Sequence, residues 1–428
     1  MQTSTANTLK CIIMNKKVIV IGGGIIGLCT AYYLHKAGHQ VTIIDKSTMD
    51  FGASYVNAGY LSPSHIIPIA APGVMKKGLK WMFDSSSPLF IKPRFNLNFL
   101  RWSLAFNNSC SQKNVYRGVP AIKDIAILGR DLYSEIKNEE KFKFQLEQKG
   151  LLMICQTNKM LEEETGVAEI AKKEGLPIQE LTPNDLKELE PNVSINAKGA
   201  ILYKCDAHTT PGMFMEEMKT YLQNSGVVFR KNETVKDIKF KNDTIISLKT
   251  TNTTYSADEF VLAAGSWSHL LSKKIGLKLL LEAGKGYRIN SERELGIKYP
   301  AILAEAKVAI TPMHGFTRFA GTMEIAGINH NVNPIRIEAI ANATKRYYPE
   351  IILTPEEKKT AASGLRPVSP DGLPYIGKSQ KCNNLTIATG HAMMGWSMGT
   401  ATGKLVSEII SDKKTSLSLD AYHPDRKF

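Results

Sequence analysis

The sequence predicts an α/β protein: a parallel-sheet domain gathered from separated stretches, joined to an α+β domain built on an antiparallel sheet. Three observations carry this. The run Lys17-Val-Ile-Val-Ile21 enters a glycine cluster and then helical spacing, the pattern of a buried strand feeding a helix. A second apolar run at 40–44 ends in Asp45 and completes a βαβ unit. Residues about 280–330 alternate apolar and polar, as half-buried antiparallel strands do.

The elements follow in order. After the turn Gly22 to Gly24, residues 26–36 keep helical spacing and Gly38 supplies the C-terminal cap. Residues 63–145 mix proline, aromatic and basic residues before turning helical at about 121–140. Strands are expected at 150–155, 227–229, 237–239, 244–250, 258–263 and 385–388. Helices are expected at 159–173, 211–224, 335–348 and 396–410; the second begins at Pro211 and stops before Gly226. No internal repeat or low-complexity segment interrupts the chain.

Length and composition narrow the function classes. The 428 residues fit two or three domains of roughly 150 residues. Hydrophobic residues at 43% and charged residues at 22% exclude a disordered chain, a collagen-like chain and a polytopic membrane protein. The net charge of +14 invites an anionic partner: nucleic acid, an anionic cofactor or substrate, or a lipid surface. The six cysteines, at 11, 29, 110, 155, 205 and 382, form no metal-binding pattern and fit reduced thiols in the cytoplasm. The first 14 residues lack the apolar core of a signal peptide, and Met14 is an alternative start. The apolar stretch 18–34 contains four glycines and reads as strand, turn and helix rather than as a bilayer span.

Gly22-Gly-Gly24-Ile25-Ile26-Gly27 fits the G-x-G-x-x-G pattern, and Asp45 follows eighteen residues after the last glycine. The first glycine permits the tight turn, the second admits a pyrophosphate to the backbone, and the third seats the helix on its strand. The helix N-terminus then stabilises the phosphate charge. Asp45 suits a ribose hydroxyl and disfavours a 2′-phosphate, so this Rossmann-like unit points to FAD or NAD rather than NADP.

Further blocks follow: Ala53-Ser54-Tyr-Val-Asn57-Ala58-Gly59, Val261-Leu-Ala-Ala264-Gly265-Ser-Trp267, Gly364-Leu-Arg366-Pro-Val-Ser-Pro-Asp371-Gly372, and Gly390-His391 with Gly395-Trp396-Ser397-Met398. Together with Lys285-Gly286-Tyr287 and Met323-Glu-Ile325, they resemble the glycine oxidase and D-amino acid oxidase superfamily of flavoproteins. Within it, the chain is most similar to the bacterial D-amino acid dehydrogenases, from about Lys17 to Leu417.

The resemblance implies a Rossmann-like FAD-binding domain from residues 16–62, 205–275 and 361–428, and a substrate domain from 63–204 and 276–360. It implies that Gly22, Gly24, Ile25, Ile26, Gly27, Asp45 and Lys46 hold the ADP half of FAD. Ser54, Asn57, Ala58 and Gly59 would line the pyrophosphate and ribityl region, and the Val235 backbone would meet the adenine. Ala264, Gly265 and Trp267 would flank the dinucleotide. Gly372, Gly390, His391, Gly395, Trp396, Ser397 and Met398 would lie beside the isoalloxazine. Tyr60 stands where close relatives often carry glutamine, a departure that bears on substrate identity.

The implied reaction is FAD-dependent oxidation of a D-amino acid to an imino acid, which hydrolyses to a 2-oxo acid and ammonia. A cyclic substrate such as D-proline or hydroxy-D-proline, and an oxygen-using glycine or sarcosine oxidase, are the alternatives. A substrate carboxylate in an apolar pocket calls for a planar, permanently charged guanidinium, which Arg366 would supply from the loop between Gly364 and Pro367. The Tyr287 hydroxyl could support that carboxylate, or the ring could simply be packed. His391 is expected to touch the substrate or cofactor, less as a base than as a contact, because the flavin carries the redox chemistry. Gly395, Gly399 and Gly403 would let the last helix approach closely, with its N-terminus near the flavin N1. Arg318 and His314 fall in an expected hairpin, where a surface arginine and a turn histidine are the simplest outcome. No metal site is expected.

Between Ala70 and Phe106 lie six basic residues (Lys76, Lys77, Lys80, Lys92, Arg94, Arg101), one acid (Asp84) and seven aromatics (Trp81, Phe83, Phe90, Phe95, Phe99, Trp102, Phe106). Such a mixture suits an anionic membrane surface, with rings at the headgroup level. It equally suits core aromatics beneath solvated lysines. The resemblance implies electron transfer to a membrane quinone and no nucleic acid. The expected location is therefore cytoplasmic, with peripheral attachment to the inner face of the cell membrane as the membrane alternative.

Overall fold

The computed structural model describes residues 15–74, 89–92, 94 and 96–428. Of the basic, aromatic stretch, Lys76, Lys77, Lys80, Trp81, Phe83, Asp84 and Phe95 lie outside the described residues.

A six-stranded sheet runs in the order Val228–Arg230, Gln40–Ile44, Lys17–Ile21, Glu259–Leu262, Cys382–Thr389 and Tyr375–Ser379. The first five strands are parallel and the last is antiparallel. Both faces are covered, so both alternating sets of side chains are apolar. Val18, Val20, Val41 and Ile43 pack under helices, while Ile19, Ile21, Ile44, Phe260 and Leu262 pack under the antiparallel strands Val235–Lys241 and Thr244–Thr250. Full burial of one such side chain contributes ~1.5–3 kcal/mol.

On the helical side, Ile25–Lys36 and Gly395–Ile410 meet backbone to backbone. A Cβ on Gly403 would stand 2.4 Å from the Cys29 carbonyl carbon, and one on Gly399 would stand 2.8 Å from Ile25 Cγ1. The glycines of the last helix therefore serve helix packing. Helix Gln112–Glu139 joins them, Gly129 meeting the Ser397 carbonyl, and its Ile122, Ile125, Leu132 and Tyr133 enter the same core. The sequence places this helix in the substrate domain; its Val115 and Val119 do pack with Met153, Cys155, Ile201 and Tyr203, so the helix contributes to both cores.

The second sheet runs in the order Ala362–Val368, Glu282–Ser291, Phe316–Ile325, Val308–Met313, Ala301–Leu303, Leu151–Cys155, Gly199–Tyr203 and Ile178–Leu181, with Leu89–Ile91 beside Phe316–Ile325. It is antiparallel except where Ala301–Leu303 meets Leu151–Cys155 and where Leu89–Ile91 joins. Strand Ala362–Val368 corrects two expectations. It belongs to this sheet rather than to the dinucleotide stretch beginning at 361, and Arg366 sits on a strand rather than a loop. Among the described residues no cysteine forms a disulfide, no His, Cys, Asp and Glu cluster could hold a metal, and no helix is long and apolar enough to cross a membrane.

Candidate active site

The carboxyl ends of the parallel strands open onto a cavity of about 750 Å³ that continues to the second sheet. Open α/β sheets bind ligands at such ends. The turn at one end is held by sterics. Gly22 has φ +114°, and a Cβ there would stand 2.4 Å from the Ala263 carbonyl oxygen. Gly27 does not line the cavity; its missing Cβ would stand 1.8 Å from the Gly22 carbonyl oxygen, so it seats the helix.

Helix Ile25–Lys36 has no side-chain N-cap. The Ile25 amide donates to Ser54 Oγ at 3.0 Å, and among the described residues no acceptor takes the amides of Gly24 and Ile26. Two unpaired donors at a positive helix end make an anion cradle. Asp45 braces it, accepting from the Gly23 amide at 2.7 Å and from the Ser47 amide at 2.8 Å. Lys46 Nζ lies 3.3 Å from the centre of the Trp267 ring, which stacks on His330. Val235, Ala264, Gly265, Asn57 and Ala58 also line the cavity. Gly59 does not: with φ +79° it packs against the Thr209 carbonyl.

At the other end Arg366 projects from strand Ala362–Val368. A Cβ on Gly286 would stand 2.2 Å from its Nη2, so the glycine leaves the space the guanidinium fills. Nη1 donates to the Thr322 carbonyl at 3.0 Å. The register slips between Lys285/Glu324 and Tyr287/Gly321, so that Thr322 and Met323 oppose Gly286 alone. In this bulge Thr322 takes φ +59°, a conformation that costs a β-branched residue of order 1–2 kcal/mol. Arg366 makes no ion pair among the described residues, and enclosure pushes its pKa down to about 10. An enclosed cation without a counter-charge favours an anionic ligand.

Other expectations need correction. Tyr287 reaches the cavity wall, but its hydroxyl donates to Glu324 Oε2 at 2.6 Å, beside Lys285, whose Nζ is 3.4 Å from Glu324 Oε1. Its hydroxyl is committed there. His391 lines the cavity, but its Nε2 engages Thr402 Oγ1 at 2.9 Å, and burial pushes its pKa down to about 3. Trp396 reaches the cavity wall, while its ring packs in the core with Nε1 donating to Thr209 Oγ1 at 2.9 Å. Ser397 Oγ donates to the Tyr60 carbonyl at 2.9 Å, and Met398 is buried between helices. Gly372 and Gly390 adopt φ +80° and +82° and pack against Ile69 and Tyr375, outside the cavity wall. Arg318 is buried rather than on the surface. Of the last helix, Gly395 and the first turn reach the cavity.

Sequence reasoning missed Thr322, His65, Ile302 and Lys307 in the wall. They come from three separate segments, and no local pattern marks them; only the bulge, visible in the register, singles out Thr322. Tyr60 also lines the cavity, with its hydroxyl donating to the carbonyls of Ala301 at 2.8 Å and Ile310 at 2.9 Å.

Known proteins share this chain's sequence and fold over nearly its whole length. A D-amino acid dehydrogenase of Helicobacter pylori is 33% identical over 411 residues, covering 95% of this chain and 98% of that protein. Another, from Paramagnetospirillum magneticum, is 29% identical, covering 96% and 98%. The glycine oxidase structure from Geobacillus kaustophilus superposes with a TM-score of 0.77 at 22% identity, covering 96% of this chain and 99% of that one. The L-proline dehydrogenase structure from P. horikoshii superposes with a TM-score of 0.73 at 20% identity, covering 96% and 97%. The model of the DAO family, FAD dependent oxidoreductase, matches residues 17–409, and from its first strand into its last helix the chain belongs to that family.

Proposed function

We propose that the protein oxidises a D-amino acid to the imino acid, which water hydrolyses to a 2-oxo acid and ammonia, and that a quinone-type acceptor takes the electrons. The relatives named D-amino acid dehydrogenase support the substrate class. The observation that carries the reading is Arg366, an enclosed guanidinium without an acid partner, in one cavity with the Gly22–Gly27 turn.

The residues present fit FAD. Gly24 and Ile26 offer unpaired amides to the pyrophosphate; Asp45, Lys46 and Val235 would hold the adenosine end; Asn57, Ala58, Ala264 and Gly265 would hold the middle. Bound there, FAD supplies the two-electron acceptor. The chain's own groups position the substrate. Arg366 grips the carboxylate through paired charged hydrogen bonds, with Thr322 and Gly286 setting its place. Burial keeps His391 neutral at pH 7, so it serves as an uncharged part of the cavity wall, with Nε2 held by Thr402. Met323, Ile69 and Val74 keep that end apolar.

Anaerobic bleaching of the flavin by a panel of D- and L-amino acids tests the reading. D-amino acids should bleach it, and Arg366→Ala should keep bound FAD while losing saturation by the preferred substrate. Bleaching by L-amino acids alone, or unchanged half-saturation in Arg366→Ala, refutes it.

Helix Leu97–Ser109 supports an anionic bilayer as the place where electrons leave. Leu97, Leu100 and Leu104 are 62%, 49% and 67% exposed, while Trp102 and Phe106 pack inward on Met323 and Ala392, which line the cavity. The helix contains no acid, and Lys92, Arg101 and Lys113 around it are exposed. An apolar stripe flanked by cations suits lipid headgroups. Changing all three leucines to Ser should abolish sedimentation with phosphatidylglycerol vesicles and leave bleaching intact. A wild-type protein that binds these vesicles no better than neutral ones removes the bilayer from the proposal.

A further inference from the structure

The residues that grip substrate and cofactor do not account for Arg318, on strand Phe316–Ile325. Its side chain is buried, lies outside the cavity wall, and makes no ion pair among the described residues. Burial and the neighbouring Arg288 push its pKa down to about 9. A buried guanidinium is costly to keep, so what it bonds to matters. Nη1 donates to the backbone carbonyls of Asn57 at 2.6 Å and Tyr55 at 2.8 Å, and Nε donates to Asn290 Oδ1 at 3.1 Å. On the next strand, Thr311 Oγ1 donates to the Ala58 carbonyl at 2.7 Å, and the Thr209 amide donates to the Gly59 carbonyl at 2.8 Å.

The carbonyls of Tyr55, Asn57, Ala58 and Gly59 are thus all engaged from behind the loop. On the donor side, the amides of Asn57 and Ala58 meet no acceptor among the described residues, although both residues line the cavity. A backbone with its acceptors satisfied behind and two donors unsatisfied in a cavity wall suits an oxygen-bearing ligand.

We propose that Arg318, assisted by Thr311, is a positioning residue for the cofactor: it clasps the 55–58 loop to the second sheet and so presents the Asn57 and Ala58 amides to FAD. The inference rests on the reading that this cavity holds FAD. Arg318 touches neither FAD nor substrate; the guanidinium is needed because one planar group must reach two carbonyls and an amide oxygen at once.

The test measures FAD affinity by quenching of flavin fluorescence as apoprotein is titrated, for wild type, Arg318→Met, Arg318→Lys and Thr311→Val, together with the melting temperatures of the apo and FAD-loaded forms. Arg318→Met should bind FAD about ten- to a hundredfold more weakly, the range for lost hydrogen bonds to a charged group. Arg318→Lys should recover only part of this, because one ammonium cannot span the three acceptors. Thr311→Val should lose about three- to tenfold. The rise in melting temperature on adding FAD should shrink in each variant, which a general loss of stability would not produce. Wild-type FAD affinity in a folded Arg318→Met protein overturns the clasp. If that variant does not fold, wild-type affinity in Thr311→Val overturns it. A wild-type protein that does not bind FAD defeats the underlying reading instead.

Discussion

Gly286→Ala perturbs the substrate end by a single methyl group. Gly286 has an ordinary φ, so alanine suits its backbone, and the consequence lies in space. The new Cβ would stand 2.2, 2.3 and 2.5 Å from Arg366 Nη2, Cζ and Nη1. Ordinary contact begins near 3.4 Å, so the guanidinium must retreat by about 1.2 Å. That breaks its 3.0 Å bond to the Thr322 carbonyl and moves it off the substrate carboxylate. A charged hydrogen bond contributes about 1.5–3 kcal/mol, and about 1 Å of misplacement can cost a hundredfold. At 1.36 kcal/mol per tenfold, kcat/KM should fall about 13- to 160-fold, chiefly through KM. The FAD end is remote from this change, so flavin content should stay at the wild-type level. The assay is steady-state oxidation of the preferred amino acid with an artificial acceptor, alongside the ratio of flavin to protein absorbance. A folded, FAD-loaded Gly286→Ala enzyme with wild-type KM would refute the placement of Arg366 in the substrate site.

Tyr287→Phe should leave KM within about twofold, because its hydroxyl serves Glu324. It should lower stability to urea by about 1–3 kcal/mol, since a buried carboxylate loses a donor; a large rise in KM with unchanged stability would return the hydroxyl to the substrate. Gly403→Ala should destabilise the apoprotein by about 1–3 kcal/mol in denaturant unfolding, because its Cβ would press on the Cys29 backbone, which cannot swing aside; unchanged stability would refute the close helix contact. Acidification should weaken the fold from pH 6.5 downward. His65 and His391 are held at about 4 and about 3 by burial, so the unfolded chain takes up their protons first, at ~2 kcal/mol per histidine by pH 5. Asp206 opposes them: burial raises it to about 6, so the folded protein takes up that proton first between pH 6 and 3.8. Melting temperature measured from pH 8 to 5 should therefore fall, and less steeply in His391→Gln; parallel curves would refute the buried, neutral assignment.

The parallel sheet and its glycine turn were legible because their determinants are local. Lys17–Ile21 is β-branched, Gly22 to Gly27 answer to steric limits within a few residues, and Gln40–Ile44 ends in an acid at a fixed distance. Helix Pro211–Asn224 and strand Thr244–Thr250 were legible for the same reason. Arg366 could be singled out as a carboxylate grip, but its strand could not, since pairing with Glu282–Ser291 is made across some eighty residues of chain.

What a linear pattern cannot carry is the direction of a side chain after a change of register. The bulge at Thr322 turns the Arg366 anchor into the cavity, while Glu324 takes the Tyr287 hydroxyl. Helix packing claims Gly399 and Gly403, and burial neutralises His391. Arg318, expected at a hairpin surface, becomes an internal clasp because a strand and a loop more than 250 residues apart in sequence meet there. Chemical identity, turn geometry and the presence of a dinucleotide site follow from short-range sterics and therefore from sequence; which polar groups are free to act follows from long-range pairing, and only the folded chain decides it.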